Sequence, residues 1–279
     1  MREIEFYKFH GFGNDYVIFE KGALTNIASL KDFTVRVCDR HRGIGGDGVV
    51  IIEEPITDEL ANYGCTILNP DGSEAAFSGN GTRCAVAYIY LKKLWKKNIL
   101  RLETASGTKT FKLLKREENH FWFEAEIGQP SRIQKLELSL SMGKFSADFL
   151  DVGNPVCVFF VDDFDSIDWR KIGAETEVYP IFPRRTNAVF VKVISSNEIE
   201  VRIWERGAGE TSSSGTCSVA ATVVHLARAN KRGKVSVRAI GGITETMWDK
   251  KDKMHIKGEA EFVFYGKLAA SISECFFRR

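Results

Sequence analysis

Asn69-Pro70-Asp71-Gly72-Ser73-Glu74-Ala75-Ala76-Phe77-Ser78-Gly79-Asn80-Gly81-Thr82-Arg83-Cys84 is the stretch that decides the fold. Its front half, Asn69 to Ser73, is turn chemistry without apolar periodicity. Its centre is Ser78-Gly79-Asn80-Gly81. From Thr82 to Trp95 the pattern is helical, with Ala85, Val86, Ala87, Ile89, Leu91 and Leu94 on an almost wholly apolar segment. A glycine-rich loop therefore opens a long buried helix. The first turn of such a helix carries N–H groups without internal partners, glycine allows close approach, and the helix dipole favours an anion there.

The device recurs. Glu205-Arg206-Gly207-Ala208-Gly209-Glu210-Thr211 leads through Ser212-Ser213-Ser214-Gly215-Thr216 into a second apolar helix, Val219 to Ala229. Two helix mouths, each with a polar cluster, suggest two halves facing one small anionic ligand. The alternative reading is that each glycine loop only caps its helix, and it fits one loop alone better than it fits two.

Around these helices the chain reads mostly as strands. In the first half they are Glu3–Phe9, Tyr16–Glu20, Val49–Ile52, Tyr63–Leu68, Leu100–Thr104, Thr108–Leu114 and His120–Ile127, with a helix over Leu30–His41. In the second they are Phe149–Val152, Val156–Val161, Asn187–Val193, Glu198–Trp204, Lys234–Ala239, Ile243–Trp248, Met254–Lys257 and Ala260–Tyr265, with a short helix over Asp165–Ile172. Strand, glycine mouth, helix and strand meander occur twice, so the expectation is a duplicated α+β unit.

The composition bounds the alternatives. At 44% hydrophobic and 27% charged over 279 residues, a packed core is expected and disorder is not. A net charge of +2 with interleaved signs leaves no footprint for nucleic acid. No segment has the apolar length of a membrane span, and Met1 to Glu5 opens into a strand pattern rather than a signal peptide's apolar core. The six cysteines, Cys38, Cys65, Cys84, Cys157, Cys217 and Cys275, are scattered and form no Cys-x-x-Cys pair. They are expected to be buried reduced thiols of a cytoplasmic protein.

Several pieces, in order along nearly the whole chain, give a specific resemblance. They are His10-Gly11-Phe12-Gly13-Asn14-Asp15-Tyr16, Arg42-Gly43-Ile44-Gly45-Gly46-Asp47-Gly48, Asn69 to Cys84, Gly153-Asn154-Pro155, Arg185-Thr186-Asn187 and Glu205 to Thr216. The sequence resembles the diaminopimelate epimerases, cofactor-independent amino-acid racemases. The resemblance implies two pseudo-symmetric α+β lobes, each a β-sheet wrapped around a central helix, with the active site in the cleft between them. The N-terminal lobe is expected over 1–127, the C-terminal lobe over 128–265, and the tail 266–279 is expected to return to the first.

The implied reaction interconverts LL- and meso-2,6-diaminopimelate by two-base transfer of the α-proton, without metal, pyridoxal phosphate or nucleotide. Removing a proton from one face and returning one to the other needs two acid/base groups and fixed donors for the developing charge. The resemblance puts Ser78 and Ser214 in the two acid/base positions, and the N–H groups of Gly79, Asn80, Gly215 and Thr216 at the substrate carboxylate. Asn14 would sit near the reacting end. Asn69, Asn154, Asn187, Glu205 and Arg206 would read the far end, Arg206 as a bidentate clamp on its carboxylate. A homodimer serving lysine and cell-wall precursor synthesis in the cytoplasm is implied as well.

The chain departs from the family at the centre of this scheme. The family carries cysteine at both helix mouths, where this chain has Ser78 and Ser214. A serine needs an adjacent base to accept a proton at neutral pH, and none of the five histidines is evidently placed to serve. The position after Gly153-Asn154-Pro155, often histidine in the family, is Val156. Three explanations stay open: a double replacement of cysteine, a natural serine variant working slowly or on another amino acid, and a binding protein that lost catalysis. Cys217, one helical turn beyond Ser214, is either a relocated thiol base or a buried packing residue.

Overall fold

Twelve consecutive residues of one helix, Gly79 to Tyr90, are buried, and so are twelve of another, Gly215 to Leu226. A helix buried on every side must be wrapped by other elements. In this computed structural model, which describes residues 3–75 and 77–268, strands wrap both. The strands are β1 (Ile4–Gly11), β2 (Asn14–Glu20), β3 (Gly48–Glu53), β4 (Tyr63–Leu68), β5 (Glu74–Ala75), β6 (Ile99–Glu103), β7 (Lys109–Glu117), β8 (His120–Gly128) and β9 (Gln134–Leu140). They continue with β10 (Gly143–Asp151), β11 (Pro155–Phe160), β12 (Asn187–Ser195), β13 (Glu198–Glu205), β14 (Gly209–Thr211), β15 (Gly233–Ala239), β16 (Gly242–Trp248) and β17 (Met254–Leu268). The helices are α1 (Leu30–Cys38), α2 (Gly79–Leu91), α3 (Trp169–Glu177) and α4 (Gly215–Arg228).

The described residues fall into two compact units. The first holds 3–75, 77–124 and 258–268, and the second holds 125–257. In the first, β1 pairs antiparallel with β17 and β2, β2 runs parallel to β3, β3 is antiparallel to β4, and β4 is parallel to β6, which turns back as β7. In the second, β10 pairs antiparallel with β9 and β11, β11 runs parallel to β12, β12 is antiparallel to β13, and β13 is parallel to β15, which turns back as β16. The order and the sense of every step repeat. So do the helices: α1 and α3 each join a parallel pair, and α2 and α4 each bridge the next one. The expected α+β architecture of two pseudo-symmetric units, each with a central helix, is what the chain forms.

The duplication also surfaces in the sequence. Gly13-Asn14-Asp15-Tyr16 enters β2 and Gly153-Asn154-Pro155-Val156 enters β11, and both glycines have positive φ, 80° and 98°. Tyr16 opens the β2–β3 ladder opposite Gly48, and Val156 opens the β11–β12 ladder opposite Asn187.

Local differences from the sequence reading have plain causes. Both central helices start earlier than the apolar pattern, at Gly79 and Gly215, because Ser78 and Ser214 cap them and glycine is tolerated in a buried first turn. The first ends at Leu91 rather than Trp95; Lys93 turns left-handed with φ 58°. α1 stops at Cys38, short of His41, where the Asp39 carboxylate accepts the N–H groups of His41 and Arg42. The expected helix over Asp165–Ile172 is a short 3-10 turn, Phe164–Ser166, followed by α3. Of the hairpin of β9 and β10 the sequence reading holds only the end of β10, from Phe149, although Leu136, Leu138 and Leu140 alternate along β9 and pack on the core. The last two expected strands are one, β17. Gly258 does not interrupt it; a Cβ there would stand 2.8 Å from the Arg83 guanidinium carbon. Pairing with β1 accordingly starts at Glu261, upstream of Gly266. Residues 269–279, expected to return to the first lobe, lie outside the described residues, as does Cys275.

Candidate active site

In the first unit, Ser78 is the N-cap of α2, with extended backbone (φ −134°, ψ 120°) and its Oγ accepting the Gly81 N–H at 3.1 Å. The same Oγ lies 2.8 Å from the Tyr16 hydroxyl. Two residues along, Asn80 is buried. Its Nδ2 donates to Asn14 Oδ1 at 3.0 Å, and Asn14 Nδ2 donates to Asp47 Oδ2 at 2.8 Å. Arg83, one turn further on α2, donates to Asn80 Oδ1 and to the Glu259 carbonyl. The expected partners Ser78, Asn14, Gly79 and Asn80 are therefore gathered at one helix mouth. Asn69 is not tied to them by its amide, which donates to Ser73 Oγ at 3.0 Å inside its own turn.

A second layer holds this mouth. Asp15 takes Lys8 Nζ at 2.6 Å and both terminal nitrogens of Arg40, which also reaches Asp47 at 2.9 Å. Burial alone would raise the Asp15 carboxyl, but hydrogen bonds from Arg40 and Lys8 hold it at about 2. Asp47 is thus fixed where it orients Asn14.

In the second unit, Ser214 caps α4 with the same backbone (φ −142°, ψ 123°). Here the hydroxyl has a carboxylate. Ser214 Oγ donates to Glu205 Oε2 at 2.8 Å, and Thr211 donates to Glu205 Oε1 at 2.8 Å. Thr216 Oγ1 lies 3.4 Å from Ser214 Oγ. The Arg206 N–H donates to the buried Asn187 side chain at 2.9 Å, and the Arg206 guanidinium donates to the Arg184 carbonyl at 2.8 Å. Ser214, Gly215, Thr216, Glu205, Arg206 and Asn187 thus form one cluster. Asn154 sits in the turn that leads into Val156, beside Asn187 in the ladder. The 205–209 loop is pinned from behind by Glu177, whose carboxylate accepts Trp204 Nε1 at 2.9 Å and the Gly207 N–H at 2.9 Å.

The carboxylate at the Ser214 hydroxyl is therefore Glu205, which the sequence assigns to substrate recognition alone. Tyr16, Asp47 and Arg83 were visible in the motifs, but their roles depend on strand register and helix phase. The five described cysteines are all buried. Burial pushes the Cys84 thiol up to about 12 and drives Cys217 far above the thiol range, with the Glu205 charge adding to the effect. Cys217 packs beside Ser214, and its burial disfavours a thiolate there.

Comparison with known proteins matches this geometry to a family. The family model described as diaminopimelate epimerase matches residues 6–133 and 149–263. The chain belongs to the diaminopimelate epimerase family. It is 33% identical over 281 residues to the diaminopimelate epimerase of Pelotomaculum thermopropionicum, spanning 95% of this chain and 98% of that one. It is 34% identical over 268 residues to that of Parabacteroides distasonis, with the same coverage. Among solved structures it matches a hydroxyproline epimerase from Agrobacterium vitis with TM-score 0.76 and 14% identity, over 96% of this chain and 93% of that one. At that identity the likeness concerns the fold. The diaminopimelate epimerase family consists of isomerases, and the chain is placed among them.

Proposed function

We propose that this chain interconverts LL- and meso-2,6-diaminopimelate by moving the α-proton, with Ser78 and Ser214 at the acid/base positions. The observation that carries the reading is the Ser214–Glu205 hydrogen bond at the mouth of α4. A serine hydroxyl is too weak an acid to stand alone, and an adjacent base is what makes it competent. As the α-carbon's C–H bond breaks, its electron pair stays on carbon and the proton goes to Ser214 Oγ. The serine's own proton passes to the Glu205 carboxylate. The N–H groups of Gly79, Asn80, Gly215 and Thr216 receive the substrate carboxylate, since first-turn donors are oriented before charge develops. Asn14 holds the reacting end. Asn69, Asn154, Asn187 and Arg206 read the distal end, with Arg206 leaving the Arg184 carbonyl for the carboxylate. Glu205 keeps its place in that set and adds the proton-accepting task.

The working form in this reading is a cytoplasmic homodimer supplying lysine and cell-wall precursors, with no metal or organic cofactor. It is supported by the family and by the lack, among the described residues, of any helix long and apolar enough to cross a membrane. Sedimentation of the purified chain tests the dimer.

The test of the activity is α-proton exchange of LL-diaminopimelate in deuterated water, followed by NMR. Exchange with growth of the meso form is expected. Tight binding without exchange would instead identify a silent binding protein. Neither binding nor exchange, with activity on another amino acid, would identify a different racemase.

A further inference from the structure

Among the described residues no carboxylate meets the Ser78 hydroxyl; its side-chain partner is a phenol. Tyr16 Oη and Ser78 Oγ are 2.8 Å apart, and either can donate. Ser78 Oγ already accepts the Gly81 N–H. A serine hydroxyl has one donor and two acceptor sites. If Tyr16 donates, both acceptor sites are filled and the serine proton is left to point outward. If Ser78 donates to a phenolate, its remaining lone pair faces outward instead. The pair therefore has an acid form and a base form that differ by one proton on Tyr16.

The surroundings are built for this contact. The Tyr16 ring lies in a slot cleared by two glycines. A Cβ at Gly48 would stand 2.9 Å from its Cε1, and one at Gly81 would stand 3.2 Å from it. The charged group nearby on α2 is Arg83, wholly buried, with one terminal nitrogen lacking any hydrogen-bond partner among the described residues. It is held by the Asn80 side chain, the Glu259 carbonyl and the face of Phe12, and the Glu259 charge also acts on it. Burial lowers the Arg83 guanidinium to about 10, and interaction with the Tyr16 phenol is among the effects that oppose this. The attraction is mutual, so Arg83 favours the phenolate. Of the other groups near Tyr16, Asp15 beside it on β2 is already neutralised by Lys8 on β1 and by Arg40, and Asp47 beside Gly48 is paired with Arg40. Opposite Tyr16 in the ladders stand Phe9 on β1 and Gly48 on β3, neither of them titratable.

We propose that Tyr16 is the proton partner of Ser78, so that a Tyr–Ser pair does at this helix mouth what a single thiol does in the family. The inference rests on the function proposed above. In the returning step, Ser78 gives its hydroxyl proton to the α-carbanion, forming the C–H bond, and Tyr16 passes its proton to Ser78 Oγ. A phenolate is left, and solvent reprotonates it. In the reverse step, Ser78 Oγ takes the α-proton while its own proton goes to the phenolate. A phenol titrates near ~10, far below an aliphatic alcohol. The two mouths are then unequal at neutral pH. The glutamate-backed Ser214 begins as acceptor and the tyrosine-backed Ser78 begins as donor.

The decisive variant is Tyr16→Phe, which keeps the ring in its slot. In the α-proton exchange assay it is expected to lower kcat by about 10² to 10⁴, the usual worth of a positioned acid or base, with KM within about threefold. In a Ser78→Cys background the same change is expected to cost less than about tenfold, because a thiol titrates near ~8.5 unaided. An equal loss in both backgrounds would show a structural role and overturn the proposal, and so would retained activity in Tyr16→Phe alone. A substrate-free readout separates this from failure of the functional reading. In 13C-tyrosine NMR, with the Tyr16 Cζ signal identified by its loss in Tyr16→Phe, Ser78→Ala is expected to raise the Tyr16 titration midpoint by removing a donor to the phenolate. An unmoved midpoint overturns the pair whatever the substrate is, and no exchange of diaminopimelate with a moved midpoint overturns only the substrate.

Discussion

Ser214 Oγ donates to Glu205 Oε2 at 2.8 Å, and the carboxylate that receives it comes from the end of the strand that leads into the 205–211 loop. The hydrogen-bond acceptor at one helix mouth is thus carried nine residues upstream of its serine, by the same chain segment that builds the mouth. Glu205→Gln keeps the size and a hydrogen bond but removes the proton acceptor. It is expected to lower α-proton exchange by about 10²- to 10⁴-fold, with KM changed much less. Steady-state NMR kinetics on the two proteins measures both quantities.

Cys217 lies beside this pair, its N–H donating to Ser214 Oγ at 3.5 Å. Its thiol is buried and driven far above the range in which a thiolate forms, chiefly by burial and further by Glu205. Cys217→Ala is expected to leave the exchange rate within about threefold while costing about 1 kcal/mol of stability for the small void. Exchange kinetics and urea unfolding check the two halves of this expectation.

Gly258 is the position where β17 lies against Arg83. A Cβ would stand 2.8 Å from Arg83 Cζ and 2.9 Å from its Nε. Arg83 is buried and holds Asn80, so it has little freedom to withdraw. Gly258→Ala is expected to destabilise the protein by about 1 to 3 kcal/mol, the usual cost of overpacking. It should also weaken substrate binding through Asn80. Urea titration and a binding isotherm report the two effects separately.

Asp15 gives a sign to the acid limb of stability. Its carboxyl is held at about 2 against an ordinary 3.8, with Arg40 and Lys8 outweighing burial. The folded state binds that proton less readily than the unfolded chain, so its stabilisation is complete above about pH 4 and is lost as pH falls through about 2. The shift corresponds to about 2 kcal/mol. Urea unfolding of the unaltered chain should weaken by that amount between about pH 4 and pH 2, and Asp15→Asn should remove this share of the acid loss.

The sequence made the two helix mouths, the duplicated unit and most strands readable because each is written locally. Glycine before an apolar run marks a mouth, and alternation marks a strand. The Gly-Asn turns before Tyr16 and Val156 are equally local, yet their equivalence shows only once the parallel ladders align them. The side chains paired with the two serines were not readable, because they depend on register and on helix phase rather than on spacing. Tyr16 meets Ser78 across 62 residues, and Glu205 meets Ser214 only after the intervening loop folds back along β13. Asn69 shows the reverse case. It has the right residue type at the expected place in the motif, with its amide kept inside its own turn.

The most direct test of serine-based proton transfer is α-proton exchange of LL-diaminopimelate in deuterated water, run on the unaltered chain and on Ser78→Cys/Ser214→Cys. The Ser–Glu and Ser–Tyr pairs predict exchange and meso product from the unaltered chain. A silent unaltered chain beside an active double-cysteine form would contradict them, leaving an epimerase pocket whose serines do not move the proton.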